Sequence, residues 1–216
     1  MPRRPERLVL VAGTGTEVGK TWAACRLARL LREREVAVAA RKPAQSFDPG
    51  DEPGTTDAAL LAAATGASPQ EVCPPHRWYP VPMAPPMAAE TLGRPAFTIA
   101  DLVEETSWPS AAVVGLVEGA GGVRSPLAAD GDLVDLAARL DPDLVVLVAD
   151  ATLGTIHAVR SSAAPLEPWP LVVLLNRWDS DDDLHRRNRR WLAERDRLTV
   201  VADVAELVPH VVGRAV

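Results

Sequence analysis

The sequence predicts an α/β fold with a mostly parallel β-sheet flanked by helices in a single domain. Three observations predict it: apolar residues fall in short continuous runs, helical patterns alternate with those runs, and the first run leads into a glycine-rich loop. The runs at 8–12, 36–40, 112–117, 144–149 and 171–175 do not alternate with polar residues, so they read as strands covered on both faces. Helical patterns at 21–34, 56–65, 98–105, 133–140, 154–163 and 182–195 separate them. That order implies right-handed crossovers and places ligand sites at the carboxyl ends of the strands. A segment with six prolines, 74–86, is excluded from helix and from the central sheet, and is expected to be an ordered loop or lid.

Size and charge narrow the function classes. A chain of 216 residues suits one core. Its formal net charge of −6 offers no broad basic surface for nucleic acid. The apolar run before Gly13 is too short for a secretory signal, and no run is long enough to span a membrane, so a cytoplasmic location with no membrane or nucleic-acid partner is expected. The two cysteines, Cys25 and Cys73, lack metal spacing and read as buried thiols. The four histidines are dispersed, with His185 and His210 assigned surface roles, and the six tryptophans are expected to pack at edges or against loops. The acidic stretch 179–183 and the basic stretch 186–190 suit the two ends of one solvated helix.

The loop GTGTEVGKT, 13–21, lies between a strand and an amphipathic helix, the setting of a P-loop. Its glycines let backbone N–H groups turn toward phosphate, the helix amino end favours an anion, and Lys20 can neutralise a transferred phosphoryl group. Thr21 is the expected Mg²⁺ hydroxyl ligand. Five residues rather than four separate Gly13 from Gly19. Of 23 basic residues only Lys20 and Lys42 are lysine, which points to a compact anion pocket that a planar guanidinium does not fit.

Other polar groups stand at strand ends. Lys42 follows the second run, and Glu118 opens Glu118-Gly119-Ala120-Gly121-Gly122, a carboxylate beside backbone that can approach a nucleotide. Asp57 begins a helical pattern, where it either caps the helix or serves as a second metal carboxylate. Asn176-Arg177-Trp178-Asp179 either forms a turn or reads a purine edge.

Taken together, GTGTEVGKT, the KPAQS of 42–46, the EGAGG of 118–122, the LGTI of 153–156 and the proline-rich YPVPMAPPMAAE of 79–90 resemble the dethiobiotin synthetase family, in the family's order. The resemblance implies an ATP-dependent ligase of biotin synthesis that captures CO₂ as a carbamate on 7,8-diaminononanoate, phosphorylates it and closes a cyclic urea. Carried over by residue, it implies Lys42 as the catalytic lysine, with Lys20 and Thr16 assisting, and Ser46 and Thr16 on the carbamate. It implies Thr21, Asp57 and Glu118 as Mg²⁺ ligands. Glu17, Val18, Gly19, Lys20, Thr21 and Trp22 would wrap ATP, with Gly119, Ala120, Gly121, Asn176 and Arg177 beside it. Val204, Ala205 and Glu206 would form the adenine loop. It further implies a homodimer in which Leu153 and Gly154 present a helix amino end to substrate in the partner's site. The chain departs from the family pattern at Gly15, Phe47 and His157.

The competing expectation is a partition-type nucleotide-switch ATPase, acting through dimerisation and partner binding. Such proteins carry an extra lysine at the front of the loop, where this chain has Gly15 or Thr14, and their basic face is not favoured by the charge balance.

Overall fold

A computed structural model of the protein describes residues 4–213; residues 1–3 of the basic amino-terminal flank lie outside that range. Strand β1 (Arg7–Gly13) leads through the glycine loop into helix α1 (Lys20–Arg32), followed by β2 (Val38–Arg41) and the two-residue strand β3 (Gln45–Ser46). Helices α2 (Asp57–Thr65) and α3 (Pro69–Val72), strand β4 (Trp78–Tyr79), and helices α4 (Pro85–Thr91) and α5 (Ile99–Glu105) come next. The second half alternates β5 (Val114–Glu118), α6 (Leu133–Leu140), β6 (Leu144–Asp150), α7 (Thr155–Ala163), β7 (Leu171–Asn176), α8 (Asp183–Arg190), β8 (Thr199–Val201) and α9 (Val208–Val212).

The main sheet has the order β2-β5-β1-β6-β7-β8, and all its pairings are parallel. The chain runs from β1 to β2 on one side of β1 and later from β5 to β6 on the other, so the strand order reverses at β1 and a crevice opens at the carboxyl ends of β1, β5 and β6, where open α/β sheets bind ligands. Successive residues of a strand face opposite sides. In β1, Val9 and Val11 join a core with α1, α2 and α9, whereas Leu8, Leu10 and Ala12 join one with α5, α6 and α7. Continuous apolar runs are therefore required.

Helix starts follow local chemistry. Ser68, Thr98 and Asp132 form capping boxes with Glu71, Asp101 and Asp135, and the Asp182 side chain accepts from the amides of Leu184 and His185. Helix α8 carries Asp183 in its first turn and Arg187, Arg189 and Arg190 in its last, as the macrodipole favours, before a π-helical stretch, Trp191–Arg195.

The proline-rich segment needs correction. It stays out of the main sheet, but Trp78–Tyr79 forms a short parallel pair with Gln45–Ser46, and Pro85 opens α4. Proline is excluded only from helix interiors; in the first turn its missing N–H has no intrahelical partner to lose. His185 also departs from expectation: it is buried, and its Nδ1 accepts from the Asp179 amide at 3.1 Å. Both cysteines are buried free thiols. Among the described residues no helix is long and apolar enough to cross a membrane.

Candidate active site

The P-loop places Lys20 as the first residue of α1, and Gly19 before it takes a left-handed φ of 94°. A Cβ at Gly19 would lie 2.0 Å from Asn176 Nδ2, so glycine is required by conformation and by space. Lys20 Nζ donates to Gly15 O at 2.8 Å, and its pKa is pushed down to about 8, by burial first and by the charge of Lys42 second.

Four polar side chains converge beyond the loop. Arg41 stands opposite Val117 in the β2–β5 register, so Lys42 and Glu118 follow side by side. Lys42 Nζ lies 2.7 Å from Glu118 Oε1, 2.6 Å from Asp57 Oδ2 and 3.1 Å from Gly119 O. Lys42 and Glu118 are both almost fully buried. Burial works against the Lys42 charge, but Asp57 and Glu118, by charge and by hydrogen bonds, hold the ammonium above the ordinary lysine value. Burial likewise works against ionised Asp57, yet Lys42 and Thr21 hold its carboxyl below the usual range. Burial, with Asp57 adding to it, raises Glu118 from its ordinary value against the pull of Lys42, whose ammonium lies 2.7 Å from Oε1.

The capping alternative for Asp57 is resolved by its neighbour. Thr56 is the N-cap of α2, accepting from the Ala59 amide, and the Asp57 carboxylate turns to Lys42 and Thr21 instead.

The donor set fits a hard cation. Thr21 Oγ1 lies 2.7 Å from Asp57 Oδ1 and 2.8 Å from Glu118 Oε1, and one hydroxyl proton can serve only one of them at a time. Glu118 Oε2 is buried without a hydrogen-bond partner. Oxygen ligands of this kind suit Mg²⁺. Among the described residues there is no cluster of three or more His, Cys, Asp or Glu that could hold a metal ion.

These groups face a cavity of 890 Å³, which Thr16, Glu17, Gly19, Ala120, Gly121, Ser46, Phe47 and Arg177 also line. Ser46 Oγ is buried with no partner within the protein. Met83 and Pro85 of the proline-rich segment also line it, as do Asp48, Asp51 and Ser125, which lie in irregular segments that carry no sequence signal.

A second cavity of 620 Å³ opens on the far side of Gly19, lined by Trp22, Asn176, Arg177 and Val204 and also by Arg26, Trp178 and Asp203. Two tryptophans thus face a cavity rather than merely packing at edges. A spacing of i and i+4 on α1 joins Trp22 to Arg26, the one sequence signal that could have found Arg26. Asn176 Nδ2 donates to Val18 O at 2.9 Å, so the amide meets the P-loop backbone. Ala205 and Glu206 do not line this cavity; Glu206 accepts from the amides of Ala202 and Asp203. Val18 and Gly119 adjoin the site through their carbonyls, whereas Leu153 and Gly154 lie outside both cavities, with Leu153 85% exposed.

A parallel sheet with a glycine loop at its central switch point, a lysine opening the following helix, a carboxylate at the end of β5 and another at the start of α2 define a P-loop nucleotide-dependent enzyme. Solved P-loop structures share the architecture. A plasmid partition protein from Borrelia burgdorferi, solved with AMPPNP, matches with a TM-score of 0.54 at 11% identity, over 95% of this chain and 90% of that one. Chloroplast FtsY from Physcomitrella patens matches with a TM-score of 0.53 at 16% identity, over 93% of this chain and 58% of that one. At such identities the likeness is one of fold. Residues 7–210 match the AAA domain family model. The ATP-dependent dethiobiotin synthetase of Anaeromyxobacter dehalogenans is 38% identical over 183 residues, 82% of this chain and 79% of that protein. That of Rhodococcus jostii is 36% identical over 185 residues, 83% and 78% respectively. The chain belongs to the ATP-dependent dethiobiotin synthetase family, whose members are ligases, and the partition-type reading is not favoured.

Proposed function

We propose that the chain converts 7,8-diaminononanoate, CO₂ and ATP to dethiobiotin, ADP and phosphate. The observation that carries this reading is that the phosphate loop, the Lys42–Asp57–Glu118–Thr21 cluster and the unpartnered Ser46 hydroxyl share one cavity. A nucleotide triphosphate and a second small anion can therefore meet there.

One substrate amine adds to CO₂ and loses a proton, giving a carbamate. On this reading Ser46 and Thr16, which line the cavity, hold its oxygens, and Lys42 and Lys20 offset the charge as it approaches the γ-phosphate. A carbamate oxygen attacks the γ-phosphorus, the bond to the β-phosphate oxygen breaks, and ADP leaves. The second amine then attacks the carbonyl carbon of the carbamic-phosphoric anhydride, losing a proton while phosphate departs with the electron pair. Lys42 has a dual position here: it is anchored on Asp57 and Glu118, yet its ammonium stands at the cavity wall between β2 and β5. Thr21, Asp57 and Glu118 would hold Mg²⁺, which when bound supplies charge stabilisation on the phosphate oxygens.

The reading includes a homodimer, for which the strongly exposed Leu153 beside Gly154 is the candidate contact, and a cytoplasmic setting that suits free buried thiols. The test follows phosphate release and product mass with purified protein, ATP, Mg²⁺ and bicarbonate, with and without the diamine. Stoichiometric dethiobiotin and phosphate only in the presence of diamine support it; ATP turnover indifferent to diamine, with no dethiobiotin, rejects it.

A further inference from the structure

We infer that Arg177 is a positioning residue for the triphosphate, acting through the backbone of the P-loop rather than on the nucleotide base. Resting on the ATP-dependent reading above, it gives Arg177 a task that sequence resemblance does not supply.

The guanidinium of Arg177 is engaged at both ends: Nη2 donates to Glu17 O at 2.7 Å, and Nη1 donates to Asp150 Oδ2 at the end of β6. Its neighbour Asn176 donates to the next carbonyl of the loop, Val18 O. The end of β7 thus grips two successive P-loop carbonyls.

A trans peptide is planar, so the carbonyl of one residue and the N–H of the next point in opposite directions. Drawing Glu17 O toward β7 turns the Val18 N–H away from β7, and drawing Val18 O the same way turns the Gly19 N–H likewise. Neither amide has an acceptor among the described residues. They are free donors fixed in direction, as an anion-binding nest requires. The fixing matters because the loop backbone is not relaxed: Glu17 takes φ 60° and Gly19 φ 94°, the left-handed region that a glutamate seldom adopts. Asp150 supplies the other half of the brace. It lies opposite Asn176 in the β6–β7 register, and its remaining oxygen accepts from the Thr152 amide at 3.2 Å. A side chain held by two partners across three chain segments is poorly placed to follow the edge of a base.

The test measures binding of magnesium tripolyphosphate, ATP, GTP and CTP to the full chain by calorimetry, for wild type, Arg177→Met, Asp150→Asn and the double variant. Arg177→Met should weaken tripolyphosphate and ATP by the same factor, about tenfold for loss of a charge-assisted hydrogen bond. The affinity ratios among ATP, GTP and CTP should stay those of the wild type. Asp150→Asn should act in the same direction with a smaller effect, and the double variant should be no weaker than Arg177→Met, since both break one brace. In turnover the loss should fall on the KM for ATP rather than on kcat. Wild-type affinity for tripolyphosphate in both single variants, or a changed ratio among the three nucleotides, overturns the inference. Tripolyphosphate binding involves no ring closure, so failure of the brace and failure of the synthetase reading are read out separately.

Discussion

The two flanks of the P-loop differ in kind. On the β5 side, Lys42, Asp57, Glu118 and Thr21 are packed into mutual contact, with the central lysine and Glu118 almost wholly buried. On the β6 side, the stretch from Thr152 to Gly154 is exposed and carries Leu153 into solvent. Charges crowded in a poorly solvated place interact strongly and keep their geometry, which suits chemistry on an anion. A single exposed apolar side chain is ordinary at a surface, so the part of Leu153 in the proposed dimer is open to direct test. One flank is a network of contacts within the fold, and the other is the proposed contact with a second copy of the chain.

The largest test of that contrast is Lys42→Met. It removes the cation that two carboxylates share and should lower dethiobiotin formation by about 10²–10³-fold, as loss of a preorganised charge at a reacting centre does. It should also destabilise the fold by about 3–5 kcal/mol, because a buried ion pair loses one partner. Thermal unfolding and product mass spectrometry measure the two effects separately. The next test is of the proposed Mg²⁺ requirement. Chelation should abolish turnover, and Asp57→Asn or Glu118→Gln should raise the Mg²⁺ concentration for half-maximal rate by about tenfold or more; an unchanged Mg²⁺ dependence would remove both acids from the ligand set.

The exposed flank gives a different signature. Leu153→Asp should leave the protomer folded, with a change within about 0.5 kcal/mol from the substitution itself, but move the protein toward monomer in sedimentation equilibrium. A dimer that tolerates the charge would place the interface elsewhere. The smallest effect is expected away from both flanks, at Arg77–Glu105. Arg77 donates twice to Glu105, at 2.8 and 2.7 Å, beside the stacked rings of Tyr79 and Phe97. Burial works against the Glu105 charge, but the bonds from Arg77 and His76 hold its pKa below the ordinary glutamate value. A depressed pKa gives stability that is full above the unfolded-state value and is lost as pH falls through the folded one. Glu105→Gln should therefore cost about 1 kcal/mol near neutrality and flatten the acid limb of a stability–pH curve.

The same contrast explains what the sequence made legible. The strands and the P-loop could be read because burial on both faces forces continuous apolar runs and because phosphate chemistry restricts residue types at Gly19, Lys20 and Thr21. The rarity of lysine singled out Lys20 and Lys42, and the cavity contains both. Segments set by tertiary contact were not legible. Strands β3 and β4 are two residues each, too short for any period, and β8 has only three residues. The Asn176–Arg177 pair has the composition of a turn or a base reader, and only the β7–P-loop approach shows that both side chains hold backbone carbonyls. His185 looks like a surface histidine on a charged helix, yet the turn at Asp179 folds over it.

The most direct test of the central claim, that the buried cluster serves attack of a carbamate oxygen on the γ-phosphate, traces that oxygen. Single-turnover reactions with ¹⁸O-labelled CO₂, ATP, Mg²⁺ and 7,8-diaminononanoate are quenched before the label exchanges with water, and the released phosphate is weighed. Attack by the carbamate places one labelled oxygen in each phosphate formed with dethiobiotin. Phosphate that carries no label, its added oxygen coming from water, would mean that the cluster hydrolyses ATP without activating the carbamate.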